Sequence, residues 1–168
     1  MLAFVDVQYD GDTGVAAAVT ATDWSDAAAA AEHVVHVPGV RPYRPGAFFE
    51  RELPCLVRVL AELVMPIALV VIDGYVELDE LGAPGLGAHL HERLGGSTSV
   101  VGVAKTAYRG STFARPVTRG GSTRPLFVTA RGMDVAEAAR HVGAMHGPHR
   151  IPTLLARVDR LARGDALR

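Results

Sequence analysis

The sequence predicts an α/β fold, a mixed central β-sheet flanked by helices, and three observations lead to it. The stretch Ile67 to Tyr75, Ile-Ala-Leu-Val-Val-Ile-Asp-Gly-Tyr, is apolar and largely β-branched until it stops on an acid and a glycine. A strand that is apolar at every position needs cover on both faces, the condition of a central strand between helical layers. A second run, Ser99-Val-Val-Gly-Val-Ala-Lys105, has the same character and also closes on a charge. Around these runs lie stretches of helical periodicity. In such sheets ligands collect beyond the carboxyl ends of the strands, which puts Asp73 where chemistry would be done; read alone, the stretch is better explained by Asp73 opening a turn with Gly74.

The chain of 168 residues has room for one domain, residues 1–168, and its 49% hydrophobic content suits a packed core. No apolar run reaches membrane-spanning length, and Leu2-Ala3-Phe4-Val5-Asp6 enters a strand directly, so a soluble, cytoplasmic protein without membrane contact is expected. Cys55, the single cysteine, excludes an intrachain disulfide and a multi-cysteine zinc site, and among Leu53, Leu56 and Val57 it reads as a small buried thiol. The net charge of -1 conceals an asymmetry. Residues 1–100 hold 14 of the 18 acids and 5 of the 17 bases, whereas residues 101–168 hold 12 bases against 4 acids. A basic half can gather phosphates while an acidic half supplies metal ligands.

Leu2 to Tyr9 alternates around Val5 and Val7, and beyond the turn Asp10-Gly11-Asp12-Thr13-Gly14 a second strand runs from Val15 to Thr22, making a β-hairpin. Asp6 sits mid-strand in Phe4-Val5-Asp6-Val7, where a buried carboxylate must be paired, protonated or bound to a cation. Asp23 to Ala31 is a linker or short helix. Glu32 to Val37 reads as a third strand with His33 and His36 on opposite faces, unable to share one ion. In Arg41-Pro42-Tyr43-Arg44-Pro45-Gly46 two prolines stiffen a loop around an aromatic side chain.

Ala47 to Val64 is helical by its stripe Phe48, Leu53, Leu56, Val59, Leu60 and Leu63, with the regular helix expected to start near Pro54 and Glu50 and Glu52 just before it. Gly85 to Leu94 reads as a helix ended by Gly95-Gly96. Tyr108 to Ser122 reads as a basic loop or irregular hairpin, Pro125 to Thr129 as a strand, and Asp134 as the cap of the next helix. Ile151-Pro152 opens a last helix whose stripe is Leu154, Leu155, Val158, Leu161 and Ala162; Asp159 falls beside that stripe, toward the core rim.

Asp6, Glu52, Asp73 and Asp159 are therefore acids from four separate elements. In a mixed sheet whose first strand neighbours the central one, Asp6 and Asp73 would meet. Carboxylates without cysteine or paired histidine are the ligands of Mg²⁺ or Mn²⁺ sites that reach substrate phosphates and activate water. Phosphate-loop and nucleophile-elbow motifs are absent from the sequence, so neither P-loop nucleotide hydrolysis nor serine esterase chemistry has support.

The order and spacing of several blocks resemble the endonuclease V family. They are Val5-Asp6-Val7, Pro42-Tyr43-Arg44-Pro45-Gly46, Phe49-Glu50-Arg51-Glu52-Leu53-Pro54, Val71-Ile72-Asp73-Gly74, Gly102-Val103-Ala104-Lys105, Pro125-Leu126-Phe127-Val128 and Arg150-Ile151-Pro152. The resemblance implies an RNase H-like fold in a single catalytic domain. It also implies Mg²⁺-dependent hydrolysis, with Mn²⁺ as an alternative ion, of a phosphodiester bond 3′ of inosine in DNA or RNA. Carried over residue by residue, Asp6, Glu52 and Asp73 match the family's metal-binding acids, Lys105 its active-site lysine and Tyr43 its wedge tyrosine. Pro45, Gly46 and Gly74 accompany them in the motifs expected to bind substrate. The base would turn out of the stack into a pocket, with Tyr43 filling the gap.

The chain also departs from that pattern. It offers Asp79 or Glu80 where the family usually has a histidine after the central Asp-Gly, carries Asp159 where a catalytic histidine is common, and lacks the helical segment that usually precedes the first strand. Aspartate binds a hard cation as well as histidine does, but the exchange removes possible proton donors. A non-cleaving nucleic-acid-binding relative is therefore the alternative, and a nuclease selecting by structure rather than by inosine a third reading. Oligomeric state is not legible.

Overall fold

The computed structural model describes residues 1–42, 44–108 and 113–164. Seven strands and four helices follow in the order β1 (Leu2–Asp10), β2 (Thr13–Ala21), β3 (Ala31–Val37), α1 (Phe48–Leu60), β4 (Leu69–Ile72), α2 (Leu86–Arg93), β5 (Ser99–Ala104), β6 (Arg115–Val117), β7 (Leu126–Arg131), α3 (Val135–Ala144) and α4 (Thr153–Ala162). The strands form one mixed sheet, β3-β2-β1-β4-β5-β7-β6. β1, β4 and β5 are parallel neighbours at its centre, and antiparallel strands extend it on both sides.

The alternation of side chains across the strands sorts the core into two layers. Ala3, Val5, Val7, Val70, Ile72 and Val100 pack against Cys55, Leu56 and Val59 of α1 and Leu86 and Leu90 of α2. Phe4, Val71, Val101, Val103, Leu126 and Val128 pack against Ala138 and Val142 of α3 and Leu154, Val158 and Leu161 of α4. All four residues of β4 are buried, as its unbroken apolar run requires. Among the described residues no helix is long and apolar enough to cross a membrane.

Two expectations need correction. The helix expected from near Pro54 starts at Phe48 and contains Pro54. That proline is exposed, and the carbonyl it leaves without an amide partner is that of Glu50 in the first turn, where water can reach it. Glu50 thus becomes the first-turn acid, paired with Arg41 at 3.0 Å and Arg44 at 3.7 Å, while Glu52 lies within the helix and is turned into the core. The basic segment read as a loop or irregular hairpin supplies β6, a three-residue edge strand; its central Pro116 suits an edge, where one side of the ladder is unpaired. Of the two readings of Asp23 to Ala31, a linker or a short helix, the linker is the one found: residues 22–30 form bends and turns, and Ala31 opens β3.

Candidate active site

The carboxyl ends of β1, β4 and β5 lie together, because the three strands are parallel and adjacent. Val5 pairs with Ile72, so Asp6 and Asp73 stand one register step farther on, at neighbouring strand ends. Strand parity puts Asp6 on the side of Phe4, Asp73 on the side of Val71 and Lys105 on the side of Val103. All three therefore face the α3/α4 layer, and α4 brings Asp159 to them. They line a small cavity of about 20 Å³, closed by Val103, Leu126, Ile151, Leu155 and Val158.

Within it, Lys105 Nζ donates to Asp73 Oδ2 at 2.5 Å and lies 3.8 Å from Asp159 Oδ1. Burial pulls the ammonium's pKa down, but the bond to Asp73 and the negative charges of Asp73, Asp159 and Asp6 outweigh it, and the pKa is raised. Asp159 is gripped by Arg163 at 2.8 and 3.2 Å. That bond holds the Asp159 carboxyl below its ordinary value against partial burial, with Lys105 adding to the effect.

Asp6 is 6% exposed and accepts a long hydrogen bond from Gln8 Nε2 at 3.3 Å, with a further contribution from the Val7 backbone. Burial pushes its pKa up to about 6; the Gln8 bond opposes this, and the charges of Asp73 and Asp159 add to it. Glu52 reaches the strand ends from α1, in the opposite layer. It is 5% exposed, and its Oε2 is buried without a hydrogen-bond partner. Burial first, then the charges of Asp6 and Asp73, raise its pKa well above the carboxylate range, with Arg51 opposing.

These acids suit a hard divalent cation. Their oxygens are the donors Mg²⁺ and Mn²⁺ select, and the orphaned Glu52 oxygen and weakly compensated Asp6 are what a bound cation would satisfy. Among the described residues no three acid, histidine or cysteine side chains already surround a common point. Asp73 is engaged by Lys105 and Glu52 approaches from the other layer, so closing on an ion requires side-chain rearrangement.

A larger cavity of about 430 Å³ opens on the α1/α2 side, lined by Pro45, Gly46, Phe48, Phe49, Asp73, Gly74, Tyr75, Leu78, Pro84, Gly85, Leu86 and Tyr108. The segment after β4 forms its wall by crossing β5 over Gly102. A Cβ there would stand 2.4 Å from the Gly74 carbonyl oxygen, and Gly74 itself has φ +151°, a conformation that favours glycine. Thr129 Oγ1 accepts from Val76 N at 2.8 Å and pins the crossing. Asp73 borders both cavities.

Of the residues named from sequence, Asp6, Asp73, Lys105 and Asp159 share the small cavity, and Pro45, Gly46 and Gly74 line the large one with Asp73. Tyr43 lies outside the described residues. Asp79, one of the two acids in place of a histidine, instead accepts from Leu81 N and Ala83 N, both at 2.9 Å, and closes its own loop. Sequence reasoning missed Tyr75, whose hydroxyl donates to the Thr106 carbonyl at 2.9 Å and accepts from Tyr108 N at 3.1 Å, tying the loop after β4 to the segment after β5. It also passed over a compositional signal: Lys105 is the only lysine in the sequence, every other base among the 17 being arginine.

A family model described as endonuclease V matches residues 1–156. The endonuclease V of Azotobacter vinelandii is 31% identical over 186 residues, covering 96% of this chain and 81% of that protein. The endonuclease V of Streptomyces coelicolor is 33% identical over 183 residues, covering 95% and 76%. The crystal structure of endonuclease V from Streptomyces avermitilis superposes with a TM-score of 0.79 at 31% identity, covering 98% of this chain and 80% of that one. At 18% identity, Ciona intestinalis endonuclease V (D234N), solved with a 23mer DNA containing an inosine followed by a ribo-adenosine, shares the fold with a TM-score of 0.80 over 98% of this chain and 84% of that one.

Proposed function

Because this chain belongs to the endonuclease V family, with its RNase H-like fold, we propose that it is a metal-dependent endonuclease that hydrolyses a phosphodiester bond 3′ of inosine in DNA or RNA. The observation that carries the reading is that Asp6 and Asp73 stand at neighbouring ends of the central strands while Glu52, buried with an oxygen that has no hydrogen-bond partner, lies near enough for both charges to act on it. Asp6, Glu52 and Asp73 would hold Mg²⁺ or Mn²⁺. When bound, such an ion polarises the scissile phosphate, activates the attacking water and steadies the leaving oxygen.

The chain's own residues divide the remaining work. Lys105 presents a fixed ammonium beside Asp73, placed to neutralise or orient a phosphate oxygen as charge develops on it. Asp159 holds that ammonium from the α4 side and is itself kept ionised by Arg163, so it serves as a charge partner rather than a proton donor. The large cavity, with aromatic and glycine-backed walls and Asp73 at its border, suits a base turned out of the stack next to the reacting phosphate. The Ciona protein's inosine-containing DNA supports inosine as that base.

The test is nicking of end-labelled single- and double-stranded DNA and RNA, each with and without one inosine, in Mg²⁺ or Mn²⁺, beside an Asp73→Asn variant. Cuts 3′ of inosine that vanish in the variant are expected. Binding to inosine-containing strands without any cut would instead establish the non-cleaving reading, which Asp159 in place of a histidine favours. Cutting indifferent to inosine would establish a structure-selective nuclease.

A further inference from the structure

The motif Arg150-Ile151-Pro152 holds a side chain with a task outside the acid cluster. Lys105 stands one residue beyond the last pair of the β5–β7 ladder, Ala104 with Phe127, so no strand partner continues past that point to hold its backbone. Its carbonyl instead accepts from Arg150 Nη2. The same nitrogen donates to the Pro125 carbonyl at 2.8 Å, and Arg150 Nε donates to the Arg124 carbonyl at 2.9 Å. One guanidinium thus joins the open ends of β5 and β7, and among the described residues it pairs with no carboxylate.

Arg150 is itself anchored. The buried Arg119 guanidinium donates from Nη1 to the carbonyls of His149 at 2.9 Å and Arg150 at 3.4 Å, from Nη2 to those of Met145 and Gly147, and from Nε to that of Gly143. Two residues after Arg150, Pro152 caps α4, which carries Asp159. The backbone origin of Lys105 and the helix bearing one of its carboxylate partners therefore meet at one side chain. Lysine has four rotatable side-chain bonds, and an ammonium at their end stays put only if both ends are held.

We propose that Arg150 is a positioning residue for Lys105: its guanidinium fixes the Lys105 carbonyl and so sets the point from which the ammonium reaches Asp73 and Asp159. The inference rests on the proposed reaction for its kinetic consequence, but not for its structural one. A planar fork with donors in several directions is required, which lysine at position 150 does not supply.

The experiment uses the full chain as wild type, Arg150→Lys and Arg150→Ala, with Arg150→Gln, which keeps an amide donor, replacing the alanine variant if that does not fold. Because Lys105 is the only lysine, ¹⁵N-lysine labelling gives a single side-chain signal. In the variants that signal is expected to move from its wild-type position. The kcat for nicking should fall roughly 10–100-fold, the scale of an ångström-level misplacement. KM should change less than about twofold. Added methylguanidinium should restore part of the rate of Arg150→Ala. An unmoved Lys105 signal, or a kcat that falls only in step with thermal stability and is not rescued, would overturn the proposal. If wild type does not nick at all, the proposed reaction fails, and the Lys105 signal alone decides the role of Arg150.

Discussion

The Lys105 ammonium stands 2.5 Å from Asp73 Oδ2 and 3.8 Å from Asp159 Oδ1, one cation shared between a strand end and a helix of the layer above it. This arrangement gives Lys105 two opposing effects. In the proposed reaction it would orient a phosphate, and it would compete with a metal ion for Asp73. Lys105→Met is therefore expected to slow nicking by about 10²-fold or more, the scale of losing one preorganised donor. The same variant should bind Mn²⁺ more tightly than wild type. Single-turnover rates and Mn²⁺ titrations measure the two effects, and a matched fall in both would refute the competition.

Asp6 carries a cost that its removal should reveal. Its folded pKa of about 6 lies above the ordinary 3.8, so the folded state holds a proton that the unfolded chain has released. Stability from this group is full below the unfolded value, falls as pH rises between the two, and stays reduced above pH 6. Asp6→Asn is expected to stabilise the metal-free protein at pH 7.5 by up to about 3 kcal/mol, from roughly 1.4 kcal/mol per pKa unit. Thermal melts in EDTA at about pH 4 and pH 7.5 test this, the gain appearing only at the higher pH.

Gly102 should tolerate no side chain. A Cβ there meets the Gly74 carbonyl at 2.4 Å and Thr129 Oγ1 at 2.8 Å, and the crossing segment carries Asp73 at its start. Gly102→Ala is expected to destabilise the fold by about 1–3 kcal/mol, as overpacking does. By shifting the wall of the large cavity it should also raise KM for an inosine oligonucleotide. An Ala variant with wild-type KM would show that this wall does not touch the substrate.

In the proposed reaction Asp159 would act through charge alone: Arg163 holds its pKa below the ordinary value, and the pKa of nearby Lys105 is raised partly by it. Asp159→Asn is expected to lower kcat about tenfold, one ion-pair partner's share of preorganisation. Stability should change by less than about 1 kcal/mol, because the pair with Arg163 is solvent-accessible. No new ionisation should appear in the pH–rate profile; a lost limb would mark Asp159 as a proton donor.

The strand ends were legible because apolar runs that stop on Asp73 and Lys105 carry both a buried strand and the charge at its tip in consecutive residues. Asp6 was legible as a charge in a packed position. Glu52 was named as a candidate ligand but placed before its helix, since Pro54 has the local signature of a helix start and only the exposure of that face explains its presence inside. Tyr75 and Arg119 left no pattern to read, and Arg150 was legible as part of a motif but not in its task. Each works by hydrogen bonds to backbone groups 24 or more residues away in sequence, and a carbonyl acceptor has no residue identity. The short edge strand β6 was hidden for a related reason: its pairing with β7 comes from tertiary position, not from alternation within three residues.

If Asp6, Glu52 and Asp73 form a divalent-cation site, titration of Mn²⁺ into the metal-free protein, followed by calorimetry and by thermal shift, will show it. Saturable binding that raises Tm in wild type, and is lost or strongly weakened in Glu52→Gln and Asp73→Asn, is the predicted result. No binding at millimolar Mn²⁺, or binding that survives both substitutions unchanged, would contradict it.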